Sequence, residues 1–257
     1  NSVAPIQKDN KRGKPALRKR GAGWNRRFTA AACLLAAVLA VVLMASLQAR
    51  MGEKQERYEA TFFGNFDTVT VITGYAKSQE EFEAQAKKLE EKLRQYHELF
   101  DIYHTYEGFH NLKSINGAAG KEPVKVNQEI INMLKLGISM YQKTAGKVNI
   151  AYGSVLSLWH SYREEGMAEP GLAKLPPEQL IKERMGHTDI SKLIIDEEAS
   201  TVFLEDKEMS LDVGSIGKGY AVQRLAAYDK DQGMDHLLMS VGGNVCAVWG
   251  KLDGSPW

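Results

Sequence analysis

Asp212-Val213-Gly214-Ser215-Ile216-Gly217-Lys218-Gly219-Tyr220-Ala221 sets three glycines within six residues, between a strand-like run at 208–211 and a helix-like run at 220–228. Glycine has no Cβ, so such a turn lets backbone N–H groups come close to a ligand at the start of a helix. Lys218 adds a cation on a mobile stem, suited to phosphate. Asp212 stands at the strand end, where a carboxylate accepts hydrogen bonds from a ribose or a ring. The spacing is neither GxxxxGK[ST] nor GxGxxG, so a phosphate site and a merely tight strand-to-helix turn both remain open.

One helix further on comes Ser240-Val241-Gly242-Gly243-Asn244, between strand-like runs at 237–241 and 245–249. Taken alone this is a hairpin turn. Two glycine turns on neighbouring elements, one carrying Asp and Lys, favour a nucleotide pocket more than either does alone.

Charge is unevenly placed. Of 33 Lys/Arg and 32 Asp/Glu, residues 1–27 hold nine basic side chains and one acidic, Asp9, which leaves 24 and 31 in residues 28–257, net −7. A basic arm by itself would fit nucleic acid. Directly after the arm, however, residues 28–49 carry no charge, and their apolar core spans about 30 Å at 1.5 Å per residue. That pairing reads as a membrane entry with the basic flank held in the cytoplasm. The expected layout is a basic cytoplasmic arm (1–27), a transmembrane signal-anchor (28–49), a linker (50–60) and one extracytoplasmic domain (61–257), with no nucleic-acid partner. Leu47-Gln48-Ala49 is a poor small-x-small cleavage site, which favours a retained anchor over a cleaved signal. Cys33 lies in the apolar run and Cys246 in an apolar strand, so no disulfide framework exists and Cys246 reads as a small core residue.

The domain reads as α+β, a single mixed arrangement of sheet and helix. Residues 68–75 alternate like a strand. Ser78-Gln79-Glu80-Glu81 is a capping box that opens a helix with Phe82, Leu89, Leu93, Tyr96 and Phe100 on one face. Asn127 caps a second helix ending at Gly146. Residues 164–177 read as a loop, and 193–196 with 201–204 as a hairpin. None of the six histidines falls in a metal spacing. His160 beside Trp159 and Arg163 stands out, although a half-buried structural role is the plainer reading. Tyr103 and Tyr106 are candidates to stack on a planar ring; Trp159 reads as core.

Several blocks together resemble the FAD:protein FMN transferases, the ApbE-like flavinyltransferases. Residues 212–221 look like that family's Asp-hydrophobic-Gly-Gly-Ile-Ala-Lys-Gly-Tyr motif, and Ser240 to Asn244 like its Gly-Gly-Asn/Asp turn. Gly146-Lys147-Val148-Asn149 through Leu158-Trp159 is similar to its Gly-x-hydrophobic-Asp…Leu-Trp block. Ser114-Ile115-Asn116 resembles its Ser/Arg-Leu-Asn, and Phe66-Asp67-Thr68 its Met-Gly-Thr. The resemblance implies an enzyme that splits FAD with Mg²⁺ and joins FMN through its phosphate to a Thr or Ser of a target flavoprotein. It implies FAD contacts at Phe66, Tyr103, Lys147, Val148, Asn149, Asp212, Lys218, Gly242, Gly243 and Asn244. It also implies a share in the metal site for Ser215, through a main-chain oxygen. The implied partners are extracytoplasmic flavin-acceptor subunits such as those of Rnf- or Nqr-type electron-transfer complexes. An FAD pyrophosphatase and a non-catalytic, membrane-tethered flavin-binding module are the alternatives. Asn149 stands where many members have Asp, which removes a charge from any metal. Members of the family continue past the position of Trp257, so the catalytic base and most metal ligands are expected in a carboxyl-terminal part beyond it.

A reporter that is active only in the cytoplasm, fused after Glu59, is expected to stay silent. Activity there would overturn the inferred orientation.

Overall fold

The structure, a computed structural model, describes residues 36, 38–42, 54–231 and 235–257. Residues 36 and 38–42 are helical and exposed. The rest of the apolar run 28–49 lies outside the described residues, and among those described no helix is long and apolar enough to cross a membrane. Residues 55–257 form one compact unit.

This unit contains two antiparallel sheets and the helices that cover them. The larger sheet has the order β1-β2-β6-β7, where β1 is Glu56–Phe63, β2 Val69–Ala76, β6 Leu237–Val241 and β7 Asn244–Val248. The smaller has the order β3-β5-β4, from Val124–Lys125, Thr201–Leu204 and Leu193–Asp196. β1 starts inside the stretch read as a linker. Its charged residues Glu56, Arg57 and Glu59 hide the alternation that packs Tyr58, Ala60 and Phe62 against the core. The hairpin of β4 and β5 falls where the sequence puts it.

Helix α1, Gln79–Phe100, buries Phe82, Ala86, Leu89, Leu93, Tyr96 and Phe100, the expected face. Ser78 caps it by accepting the Glu81 N–H. The capping box is incomplete, because the Glu81 carboxylate takes the N–H of Lys77 instead of that of Ser78. After α2 (Leu112–Gly117) comes α3 (Gln128–Lys143), which Asn127 caps through Glu129 N–H. It ends on Ala145 and Gly146 with φ of 51° and 80°, a left-handed reversal closed by Gly146 N–H to Tyr141 O at 2.8 Å. Helix α4 runs from Gly153 to Ala168, so the first residues of the expected loop 164–177 are helical. Helix α5 is Glu178–Met185 and α6 is Gly217–Asp231. α6 swallows most of the glycine turn: Gly217, Lys218 and Gly219 form its first turn. The expected strand at 208–211 is absent. A single parallel bridge, Tyr152 to Ser210, takes its place.

The α6 face that carries Val222, Leu225 and Ala226 also buries Asp229 completely. Neither oxygen of that carboxylate has a hydrogen-bond partner among the described residues. Burial, with the negative charge of Asp235 added, weakens the acid and pushes its pKa up to about 7. The folded value is above the unfolded one, so below about pH 4 both states hold the proton and nothing is lost. As pH rises from about 4 to about 7 the unfolded chain releases its proton while the folded one retains it, and stability falls. Three pK units correspond to roughly 4 kcal/mol. Urea unfolding is therefore expected to show stability declining across that window. Asp229→Asn should flatten the decline and be the more stable form at pH 8; an unchanged profile would show the carboxylate is solvated.

Candidate functional site

Two segments, Asn116 of α2 and residues 150–153, converge on residues 210–212, where the glycine turn begins. The Asn116 side-chain amide receives Leu211 N–H at 2.7 Å and donates to Leu211 O at 3.0 Å. Asp212 N–H bonds Ile150 O at 2.8 Å, and Gly153 N–H bonds Ser210 O at 2.9 Å. A Cβ on Gly153 would lie 2.5 Å from that same Ser210 oxygen, so the start of α4 approaches this strap closely only because residue 153 is glycine. Asp212 Oδ1 then accepts Gly214 N–H at 2.8 Å and turns the chain into α6.

The glycines of this turn have no conformational reason to be glycine, since none of Gly214, Gly217 and Gly219 has positive φ. A Cβ at Gly217 or Gly219 would meet neighbours only at ordinary contact, 3.5 Å from Val213 Cγ2 and 3.5 Å from Asn244 Oδ1. What a bare backbone offers here is access. Among the described residues Lys218 and Gly219 N–H find no backbone acceptor, as befits the first turn of a helix, and the positive end of the helix dipole adds to them. Gly242 and Gly243 differ. Their φ values of 54° and 85° make the two-residue turn of the β6–β7 hairpin, and a Cβ on Gly242 would sit 2.5 Å from Thr68 Oγ1. That hairpin brings Asn244 beside Gly219.

In front of α6 lies a hollow of about 300 Å³ lined by Val213, Gly214, Gly217 and Lys218, by Asp101 to His104, and by Phe66, Asp67, His97 and Phe100. Phe66 and Asp67 have φ of 53° and 52°, a left-handed region that costs a residue with a Cβ about 1–3 kcal/mol. Asp101 organises the opposite wall. Its buried carboxylate accepts Tyr103 N–H at 2.6 Å, Tyr106 O–H at 2.8 Å and His104 N–H at 3.2 Å, with His104 Nδ1 at 3.0 Å. Burial pushes this carboxyl up, but those hydrogen bonds outweigh it and hold the acid below its ordinary range. Tyr106 is pushed up to about 12 by burial and by the same carboxylate. A second, wider hollow of about 610 Å³ is lined by Trp159, His160, Tyr162, Arg163 and Leu175, and shares Tyr103 and Asp212 with the first. Tyr103 packs against His160 with ring centroids 5.2 Å apart and the planes tilted by 37°, and Arg163 donates to His160 Nδ1 at 2.8 Å. Trp159 is 41% exposed and faces this hollow, so it is not core.

Of the residues singled out in the sequence, Phe66, Tyr103, Asp212 and Lys218 line one hollow. Asn244 reaches the turn from behind, with Gly242 and Gly243 shaping its hairpin. Lys147, Val148 and Asn149 do not line the hollow. Asn149 bonds Ala151 N–H and Thr188 O, and Val148 N–H bonds Thr144 Oγ1, so the block secures the chain that supports Asp212. Ser215 is exposed in the turn. The described residues hold no group of three or more His, Cys, Asp or Glu side chains placed for a metal. Magnesium favours an octahedral shell of hard oxygens, and the residues here do not fit such a shell by themselves. Sequence reasoning misses Asp101 and His97. Asp101 has a signal in the run Asp-Ile-Tyr-His, since an Asp at a helix end readily takes the N–H groups two and three residues on.

The chain belongs to the ApbE family, whose description matches residues 65–257. It is similar to FAD:protein FMN transferases of Klebsiella pneumoniae (strain 342), 28% identical over 163 residues, 63% of this chain and 48% of that one. It is also similar to one of Vibrio cholerae, 27% identical over 175 residues, 68% of this chain and 50% of that one. The chain thus spans about half the length of the curated relatives it matches. The fold matches the flavin transferase ApbE from Vibrio cholerae with TM-score 0.63 at 20% identity, over 79% of this chain and 63% of that one. It matches apo Pseudomonas stutzeri flavinyl transferase ApbE with TM-score 0.64 at 20% identity, over 80% and 64%.

Asp101→Ala would strand the Tyr103 and His104 N–H groups and the Tyr106 hydroxyl. A loss of at least about 1.5 kcal/mol is expected in urea unfolding at pH 7, the scale of one hydrogen bond to a charged group. The wild-type advantage should vanish as pH falls below the ordinary carboxylate range, because the folded acid is the stronger one.

Proposed function

We propose that this chain carries the FAD-phosphate part of an FAD:protein FMN transferase. The observation that carries the reading is the meeting of Lys218, Asp212 and the open first turn of α6 with Phe66 and Tyr103 around one hollow. An anion set against unpaired helix amides and a lysine is stabilised by both, and a planar ring finds the aromatic side chains of Phe66 and Tyr103 lining the same hollow. In the reaction the hydroxyl oxygen of an acceptor Thr or Ser forms a bond to the FMN phosphorus. The bond from that phosphorus to the bridging oxygen breaks, AMP leaves with the electron pair, and the hydroxyl proton is given up. Lys218 and the α6 amides stabilise negative charge on phosphate oxygens through that exchange.

Magnesium enters this reading as an ion carried by the phosphates, with Ser215 the residue of this chain assigned to it. The partner is a flavin-acceptor protein bearing Thr or Ser, of the kind found as extracytoplasmic subunits in Rnf- or Nqr-type complexes. The basic arm and the uncharged run 28–49 support a reading in which the domain is tethered to the membrane on its extracytoplasmic side.

Lys218→Ala is expected to weaken FAD binding by about 1.5–3 kcal/mol, the scale of a charged hydrogen bond. Lys218→Arg should restore it poorly, because a planar guanidinium does not replace a compact ammonium in a tight turn. Titration of FAD fluorescence measures both. Unchanged affinity in both variants would reduce the turn to a structural device. Mass spectrometry of an acceptor incubated with FAD and Mg²⁺ tests the chemistry: an FMN-mass adduct supports transfer, and free FMN with AMP would make it a hydrolase.

A further inference from the structure

We propose that His97 is a positioning residue: as a neutral imidazole protonated on Nε2 it locks residues 64–67 against the flavin hollow, and protonation releases the lock. The inference rests on the flavin reading of that hollow. Phe66 N–H donates to His97 Nδ1 at 3.1 Å. A nitrogen that accepts holds no proton, so the proton of the neutral ring lies on Nε2. The same imidazole meets the Phe66 ring edge-on, with centroids 5.5 Å apart at 74°. Phe66 and Asp67 both occupy left-handed backbone, which persists only where the surroundings impose it. Here the imposition comes from α1 at two points. Glu90 Oε1 receives the Asn65 side-chain amide at 2.9 Å, and two helical turns later His97 receives Phe66 N–H.

A proton on Nδ1 converts that acceptor into a donor and sets two N–H groups against each other. The upper grip is then lost, and Phe66 leaves the wall it forms with Lys218 and Tyr103. Other charged groups line the hollow with His97: Asp67 belongs to the turn itself, and Asp212 and Lys218 come from the glycine turn that opens α6. Glu90, Arg94 and Glu98 share its helix, the last two paired at 2.8 Å. Asp101 from the next loop is held ionised by its hydrogen bonds and keeps its charge near neutrality. His104 is the other imidazole lining the hollow, bonded to Asp101 and not to the turn. It is the internal control.

The test measures FAD affinity of the full chain at pH 8.0 and 5.5. Wild type should lose about tenfold at the lower pH, the scale of one hydrogen bond together with the packing it holds. His97→Asn keeps an acceptor oxygen at the place of Nδ1 but does not titrate; it should bind nearly as wild type at pH 8.0 and stay flat. His97→Phe keeps the ring but not the acceptor and should be weak at both. His104→Asn should keep the wild-type ratio between the two pH values. Imidazole nitrogen shifts at pH 8.0 should report the Nε2–H tautomer at His97, and the Phe66 amide should exchange faster in His97→Phe. An Nδ1–H tautomer, a pH ratio that survives His97→Asn, or wild-type affinity in His97→Phe would each overturn the proposal. If Lys218→Ala leaves FAD affinity unchanged, the flavin reading fails by itself, and the tautomer with the Phe66 exchange rate still decides whether His97 locks the turn.

Discussion

The site depends on the backbone of a single residue, Leu211, gripped on both its N–H and its C=O by the side-chain amide of Asn116 across 95 residues of sequence. A primary amide supplies one donor and one acceptor at the spacing of a β-ladder pair, so Asn116 acts as a neighbouring strand of one residue. Asp would offer only acceptors and would leave Leu211 O without a donor. Ile150 O and the bare backbone of Gly153 complete the grip on either side. Because 210–212 is pinned in this way without being a strand, the chain can turn sharply at Asp212 and start α6 with its first amides uncovered.

The hollow that results has walls of different kinds. The α6 wall is backbone and lysine, where charge and open donors favour an anion. The Asp101 wall is a buried carboxylate whose charge is satisfied locally by Tyr103, His104 and Tyr106, so it shapes the loop instead of repelling the ligand. The turn at 64–67 is held by α1 in a conformation its residues do not favour. Tyr103 and Asp212 stand where the narrow hollow opens into the wider one beside α4. A ligand with a charged centre and aromatic ends meets a matching sequence of surfaces there.

Glycine serves two separate purposes in this molecule. At Gly242 and Gly243 it is demanded by the backbone, since both residues are left-handed and Thr68 presses on one of them. At Gly217 and Gly219 the fold would accept a methyl group, and only an approaching ligand gains from its absence. The two motifs look alike in sequence, and only the folded backbone separates a turn requirement from an open approach.

Much of the scaffold is legible from sequence because its signals are local. Ser78 and Asn127 mark helix starts, the spacing of Phe82, Leu89, Leu93 and Tyr96 defines a face, and the Gly242–Gly243 pair defines a hairpin register. The motif residues Phe66, Tyr103, Asp212 and Lys218 are legible as candidates through family resemblance, and tertiary structure brings them to one hollow. Trp159 reads as core in the sequence and is not, because an aromatic in a helix carries no mark of what covers it. The expected strand at 208–211 fails to form because the partners of this segment, Asn116 and Ile150, are a side chain and a distant peptide, which no local pattern encodes. Asp101 and His97 gain their roles the same way. The sequence by itself determined the two capped helices, the β4–β5 hairpin, the glycine turns and the family resemblance. Tertiary structure alone decided which amide grips Leu211 and which imidazole nitrogen faces Phe66, because hydrogen bonds between residues far apart in the chain depend on distances and directions that only the folded backbone sets.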